Sequence, residues 1–174
     1  MLYTVECSYT HPESEDEWNG FYSKEKLPAL VSVTGFSTSQ RFKALTPGCP
    51  VYLAIHNISS ADIIASKEYR QKGGGSFARW QPHITDWHRN LYECAEAFPA
   101  VSSDQILLLS TEPLGFIETE LGYRVLEMLA SGLEKLPPRR VAYVLPRENA
   151  AQIAEISGAY FYEAITAQLQ TPRL

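Results

Sequence analysis

The chain has 174 residues, 45% of them hydrophobic and 20% charged, with a formal net charge of −5. That length builds one domain, or two small repeats sharing a core, and the composition is that of an ordinary globular protein. The acidic balance excludes a general binder of the phosphate backbone, whose affinity rests on clustered Lys and Arg.

Three cysteines, Cys7, Cys49 and Cys94, are odd in number and widely spaced. With no Cys-x-x-Cys pair, they are expected to be reduced and mostly buried rather than metal-binding or redox-active. The N-terminal "MLYTVECSYT" alternates and carries Glu6 where a signal peptide needs a continuous apolar core. The longest apolar runs, such as Ile106 to Leu109, are too short to span a bilayer. A cytoplasmic location is the resulting expectation, with neither membrane nor nucleic acid as a partner.

In chain order, "LYTVECSY" (2–9) alternates and is rich in β-branched and aromatic residues, which predicts a first strand. "HPESEDEW" then supplies a Pro, a capping Ser and four acidic residues, placing a helix start near Ser14. Trp18, Phe21, Tyr22, Leu27, Leu30 and Val31 form one apolar stripe on it, which Pro28 is expected to kink or end. After Gly35 the period changes to two and a second strand begins at Phe36. "LTPGCP" is a turn, and "VYLAIHNI" (51–58) is a third strand in a hairpin with the second. "SSADIIASKEYR" is a short capped helix and "QKGGGSF" a flexible loop, read as a lid or as plain surface. "HITDWHRNLYECAEAF" (83–98) reads as a fourth strand. The order is βαββαβ, a ferredoxin-like unit of the α+β class, closing by about residue 97.

Residues 98–174 repeat this plan. "QILLLSTE" reads as a strand, "GYRVLEMLASG" and "RRVAYVLP" as a hairpin around Pro137-Pro138, "RENAAQIAEIS" as a helix and "AYFYEAITAQLQ" as a last strand. "VYLAIHNISSADIIAS" and "AYVLPRENAAQIAEIS" are the closest internal match, each an apolar strand leading through a polar turn into an amphipathic helix. The first helix of this half has only "PLGFIETEL"; the competing reading makes Thr119 to Lys135 one helix, which would abolish the duplication. The duplicated reading divides the chain into units 1–97 and 98–174.

The stretch "EWNGFYSKEKLPALVSVTGFSTSQRF" resembles the first helix and second strand of the dimeric α/β-barrel superfamily, especially its EthD-like proteins. There an aromatic-rich helix runs into an acidic-His-x-Pro segment, then a turn, then a strand bearing Arg; residues 1 to about 95 carry the resemblance. It implies two ferredoxin-like sheets, from two chains or two halves of one, packed into a barrel with helices outside. It also implies a class of cofactor-free monooxygenases, isomerases and lyases, haem-degrading enzymes and members without known activity, so the fold does not fix the function. Where many relatives carry His before the Pro, this chain has Lys26. An unperturbed lysine titrates near about 10.4, so Lys26 does not inherit the acid–base role of a His.

The four histidines, His11, His56, His83 and His88, lack the spacing of a helical metal site. "FARWQPHITDWHRN" (77–90) is the stretch richest in chemistry. Read as a strand from His83, it puts His83, Thr85, Trp87 and Arg89 on one face and Ile84, Asp86, His88 and Asn90 on the other. His83 or His88 is a candidate general base with Asp86 orienting it. The competing reading has the tryptophans packing and the His and Asp capping the strand. On the third strand, Val51, Leu53 and Ile55 are expected to meet the helices, so that Tyr52, Ala54 and His56 point into the barrel. There Arg41 and Lys43 would join Glu6, either as a small-molecule site or as an ion-pair network holding the sheets together. Trp18, Tyr22, Trp80 and Trp87 are candidate walls, or simply core.

These readings make the chain a small cofactor-independent enzyme acting on an aromatic or oxygenated small molecule. Its catalytic candidates are His83, His56, His88 and Asp86, and its binding candidates Arg41, Tyr22, Trp18, Trp80, Trp87 and Glu6. The alternative is a non-catalytic module that binds a small ligand or forms a homodimer. An enzyme working through these histidines requires His83 or His56 to line an enclosed cavity within hydrogen-bond reach of another ionisable group.

Overall fold

The computed structural model describes residues 1–153 and 156–172. Eight of its strands close into one antiparallel barrel: β1 (Leu2–Tyr9), β2 (Phe36–Ala44), β3 (Tyr52–Ile58), β4 (Ile84–Glu93), β5 (Gln105–Ser110), β6 (Leu126–Leu133), β7 (Arg139–Pro146) and β8 (Ala159–Ala164). Around the barrel they run β1-β4-β6-β7-β5-β8-β2-β3, and β3 returns to β1. A two-residue β9 (Leu169–Gln170) pairs with β2 at Thr38 and Ser39, taking over where β8 leaves β2 at Phe42. The strands before residue 97 lie in the order β2-β3-β1-β4 and those after it in the order β8-β5-β7-β6. Numbered within its own set, each run is 2-3-1-4 or its reverse. The two sets meet at β4–β6 and β8–β2, so one chain closes the barrel by itself.

Helices cover the outside. α1 (Pro12–Phe21), a wide π turn (Tyr22–Lys26) and α2 (Leu27–Val31) form one continuous rod, joined on the same side by α3 (Lys67–Gln71). Pro28 therefore does not end the helix. It supplies no N–H to the rod, and the turn before it is wide, with Leu27 N–H reaching back five residues to Tyr22 O. α4 (Gly115–Thr119) and α5 (Ala150–Ile153) cover the other half. Residues Leu126 to Leu133 are strand β6, which overturns the competing helix over 119–135 and leaves the hairpin around Pro137-Pro138 as expected. The expected last strand is broken between β8 and β9. The expected fourth strand is shorter than 83–98: His83 ends a 3-10 turn (Ala78–His83) and the pairing stops at Glu93. Part of the expected helix "RENAAQIAEIS" lies outside the described residues.

Alternation divides the apolar residues into three layers. Leu2, Phe42, Leu53, Ile55, Tyr92, Leu107, Leu109, Met128, Ala142 and Tyr162 fill the barrel. Tyr3, Val5, Cys7, Tyr52, Ala54 and Leu91 face outward beneath α1 to α3, and Ile106, Leu108, Val141, Tyr143 and Phe161 beneath α4 and α5. The sides assigned to β3 from its sequence are thus inverted. Leu53 and Ile55 enter the barrel, whereas Tyr52, Ala54 and His56 lie under the helices. All seven residues of β3 are buried, so neither face is marked by polarity.

The interior polar groups have specific tasks. Glu6 on β1 receives two hydrogen bonds from Arg140 on β7, Nη2 to Oε1 at 3.1 Å and Nη1 to Oε2 at 3.3 Å, with both side chains almost sealed. Glu6 therefore pairs with Arg140 across the barrel and not with Arg41, which faces out opposite Ala54. Three buried amides hold chain segments that close the barrel ends. Gln40 grips Val101 N and O, and Asn57 grips Phe98 N and O, docking the linker between the halves. Asn90 grips Leu136 N and O in the β6–β7 turn.

Breaking the Glu6–Arg140 pair from one side leaves a buried charge unpaired. Arg140→Met is expected to lower unfolding free energy by about 3–5 kcal/mol in denaturant titration, and Glu6→Leu/Arg140→Met to regain most of it. A double variant as unstable as the single one would show that the pair contributes by geometry rather than by charge balance.

Candidate functional site

The outer face of the first four strands, beneath α1, the π turn and α3, gathers the polar and aromatic side chains that the fold leaves unabsorbed. The π turn projects Lys26 inward, so that only 6% of the residue stays exposed. Its ammonium donates to the carbonyls of Gly73 and Ser76, the latter at 2.7 Å, and lies 5.7 Å from the Tyr22 ring and 5.2 Å from the Phe77 ring. Burial pulls its pKa down to about 8. Tyr3 Oη and Tyr69 Oη are hydrogen-bonded at 2.7 Å, and Arg89 Nη1 donates to Tyr3 Oη at 3.4 Å. Between these groups remains a cavity of about 10 Å³, room for one water, lined by Tyr3, Tyr22, Lys26, Tyr69, Phe77 and Trp87 among others. Roomier clefts of about 300 and 650 Å³ flank the linker at the barrel end, away from these groups.

Arg41 lies beside this cavity, 1% exposed, its guanidinium 4.1 Å from the centre of the Tyr22 ring and 5.2 Å from that of Trp18. Nη1 donates to Ser23 Oγ at 2.9 Å and Nη2 to Asn19 Oδ1 at 2.9 Å. Among the described residues no carboxylate pairs with Lys26 or Arg41. Burial also pushes Cys7 up to about 12 and raises Tyr22 and Tyr69, so these stay protonated and add no negative charge.

His56 is fully buried on the same face. Its Nδ1 is 2.5 Å from Ser39 Oγ, its ring stacks 5.5 Å from that of Tyr3, and its Nε2 has no partner among the described residues. Burial lowers its pKa to about 3, which keeps it neutral. His83 does not line the cavity; it stacks 4.6 Å from His11 and lies 5.7 Å from Tyr9, whose ring stacks on Trp18. His88 sits at the rim between Asp86 and Glu134, 2.8 Å from each, and both carboxylates raise its pKa. Neither His83 nor His56 meets the requirement of an enclosed cavity with an ionisable partner.

The alternation expected for 83–90 fails at a bulge. Asp86 has φ +51°, and between Ser8 and Glu6 the register passes from Thr85 to His88. Two residues there oppose one, so Ile84 packs on the helix side with Leu91, the side to which Trp87 and Arg89 also turn. Of the expected site residues, Arg41, Tyr22, Trp18, Trp87 and His56 are brought together. Trp80 stacks on Phe21 at the outer edge, 4.5 Å away, and Glu6, His83, His88 and Asp86 lie apart. Lys26, Tyr3 and Tyr69 were not singled out as site residues from the sequence. Lys26 carried a signal in its place before Pro28; Tyr3 and Tyr69, in a strand and a short helix, carried none.

The Gly-rich loop is shaped for this site. Gly73 and Gly75 have φ of +95° and +77°, and a Cβ on Gly74 would stand 2.3 Å from the Tyr69 ring. Each glycine is therefore required for the loop to close on Tyr69 and present its carbonyls to Lys26.

No family model matches the sequence, nor does any curated protein. Among solved structures, the chain is similar to an anthrone oxidase-like protein, with a TM-score of 0.54 and 14% identity over 99% of this chain and 94% of that one. It is also similar to a candidate monooxygenase of Fusobacterium nucleatum subsp. nucleatum, with a TM-score of 0.54 and 8% identity over 99% and 98% of the two chains. The likeness is one of fold: this chain has the α+β barrel architecture of those structures along its whole length.

Because His56 stays neutral in the folded chain but titrates normally when unfolded, the unfolded state binds more protons below about pH 6.5, and stability falls as pH drops towards 3. The expected loss is about 2 kcal/mol by pH 5. His56→Gln is expected to flatten this part of the pH profile of unfolding; an unchanged slope would place the proton uptake elsewhere.

Proposed function

We propose that the chain is a small cofactor-independent enzyme of the monooxygenase, isomerase or lyase type, acting on an aromatic or oxygenated small molecule at the helix-covered face of its first half. The observation that carries this reading is the pairing of two buried cations, Lys26 and Arg41, with a wall of aromatic rings and no carboxylate. Aromatic faces accept a planar ligand, and a cation in a dry site stabilises negative charge that develops on a substrate oxygen. Transfer of a proton from carbon beside a carbonyl to solvent water gives an enolate, whose charge the cations balance. With dioxygen as oxidant, a methylene becomes a carbonyl and one oxygen atom leaves as water. Without oxygen, reprotonation at a different carbon is an isomerisation.

In this reading Tyr22, Trp18 and Trp87 are walls with Trp80 at the outer edge, Arg41 sets the potential from behind Tyr22, and His56 is a neutral group supporting Tyr3. His83, His88, Asp86 and Glu6 are not among the residues that line the cavity, and this reading gives them no part in the work. The strand orders support two tandem ferredoxin-like units, 1–97 and 98–174. The aromatic-rich first helix and the Arg-bearing second strand support an EthD-like relation within the superfamily, from which Lys26 before Pro28 departs. No helix among the described residues is long and apolar enough to cross a membrane, which suits the cytoplasmic location we favour. The second reading, a non-catalytic ligand-binding module, draws on the small size of the closed cavity.

The test is oxygen uptake and product mass spectrometry over a panel of hydroxylated aromatics, cyclic ketones and hydroxy acids. Wild type is expected to turn over at least one, Trp87→Ala to lose about tenfold or more in kcat/KM, and His83→Ala to stay within about twofold. Absence of any oxidised or isomerised product across the panel would remove the enzyme reading in favour of the binding module.

A further inference from the structure

Lys26 presents an unusual electrostatic state. Taking an ammonium out of water is costly unless a counter-charge or full hydrogen bonding replaces the lost hydration. Lys26 receives only the carbonyl dipoles of Gly73 and Ser76 and the faces of Tyr22 and Phe77. The nearby Arg41 is committed to Asn19 and Ser23, and Arg89 to Tyr3, so Lys26 is the cation whose partners are exchangeable. Both carbonyls belong to one loop, Gly73 to Ser76, which is tied to the end of α3 by Gly73 N–H to Arg70 O and Gly74 N–H to Tyr69 O, and rests on the Tyr69 ring through the bare Cα of Gly74. The loop occupies the place a ligand would take beside Tyr22, Phe77 and Trp87.

We propose that Lys26 recognises its ligand's oxyanion: an aromatic carboxylate, phenolate or enolate enters beneath the Gly73–Ser76 flap and takes the ammonium over from the two loop carbonyls. Binding and flap opening are then one event. The anion supplies the counter-charge that the closed state lacks, and the flap glycines are freed to move. This deepens the functional reading above and rests on it for the location of the site, but it concerns recognition rather than turnover. It also gives the residue standing before Pro28 a role of its own. An ammonium that donates to two loop carbonyls is placed to hold an anion there instead.

The experiment compares 1-naphthoate with its neutral counterpart 1-naphthamide, by calorimetric titration and by hydrogen exchange of the amides from Gly73 to Phe77. A charge-assisted contact in a dry site predicts that wild type binds naphthoate about tenfold or more tighter than the amide. Naphthoate should also accelerate exchange in the flap. In Lys26→Met the preference should fall to within about threefold and flap exchange should no longer respond to naphthoate. Gly74→Ala leaves Lys26 in place but drives the flap off Tyr69, and is expected to raise naphthoate affinity by about threefold or more because the competing carbonyls are displaced. The proposal is overturned if Lys26→Met keeps the charge preference, if flap exchange ignores naphthoate in wild type, if Gly74→Ala weakens its binding, or if neither probe binds. Turnover in the oxygen assay without a charge preference would remove this inference and spare the enzyme reading. A charge preference without turnover would do the reverse.

Discussion

Closure of the barrel by a single chain is the constraint on which the rest depends. Once β4 pairs with β6 and β8 with β2, the interior has no open edge, and a charge inside must find its partner there, although the hydroxyls of Thr4 and Tyr162 find none among the described residues. The Glu6–Arg140 pair meets this demand for charge, joining β1 of the first half to β7 of the second through two hydrogen bonds. Such a pair adds little net stability over a well-packed apolar pair, because desolvation offsets most of the attraction. Its effect is on arrangement: any slip by one residue in β1 or β7 would turn one charge out of the barrel and leave the other buried alone.

The barrel ends follow the same rule. Gln40, Asn57 and Asn90 each face a peptide group with both ends of an amide, copying the pairing of one strand with another. The linker between the halves and the β6–β7 turn are thereby drawn over the openings, with Phe98 and Val101 packed inward as stoppers. Clefts of about 300 and 650 Å³ remain beside that linker, one along Glu96–Pro99 and one along Ala100–Ser103.

Charge separation across the sheet gives the outer face its character. Glu6 and Cys7 are neighbours in sequence but point to opposite sides of β1, so the carboxylate committed to Arg140 is unavailable to Arg41 and Lys26. The outer face of the first half is left with cations, neutral tyrosines and tryptophan. Arg41 is compensated by the hydrogen bonds it donates to the rod above it, whose residues Asn19 and Ser23 are spaced one helical turn apart. Lys26 is compensated by two aromatic faces and by a loop that needs three consecutive glycines to reach it.

Most strands, the order of elements in each half, the hairpin around Pro137-Pro138 and the aromatic helix were legible in the sequence, because local periodicity and turn chemistry act within a few residues. The side each strand presents was not. In β3 every residue is buried, so alternation of apolar and polar side chains carries no sign, and His56 was assigned to the wrong face. At Asp86 one bulge residue with positive φ reversed the phase of β4, which no residue type near it announces. The site has the same division. Arg41, Tyr22, Trp18 and Trp87 stand out by residue type, whereas the partnership of Glu6 with Arg140 spans 134 residues. The meeting of Lys26 with the Gly73–Ser76 loop spans 47. Sequence by itself determined the elements and the stock of charged and aromatic side chains; only the tertiary structure decided which faced which. Barrel closure acts on all eight strands together, and pairing at that range depends on register rather than on any local preference.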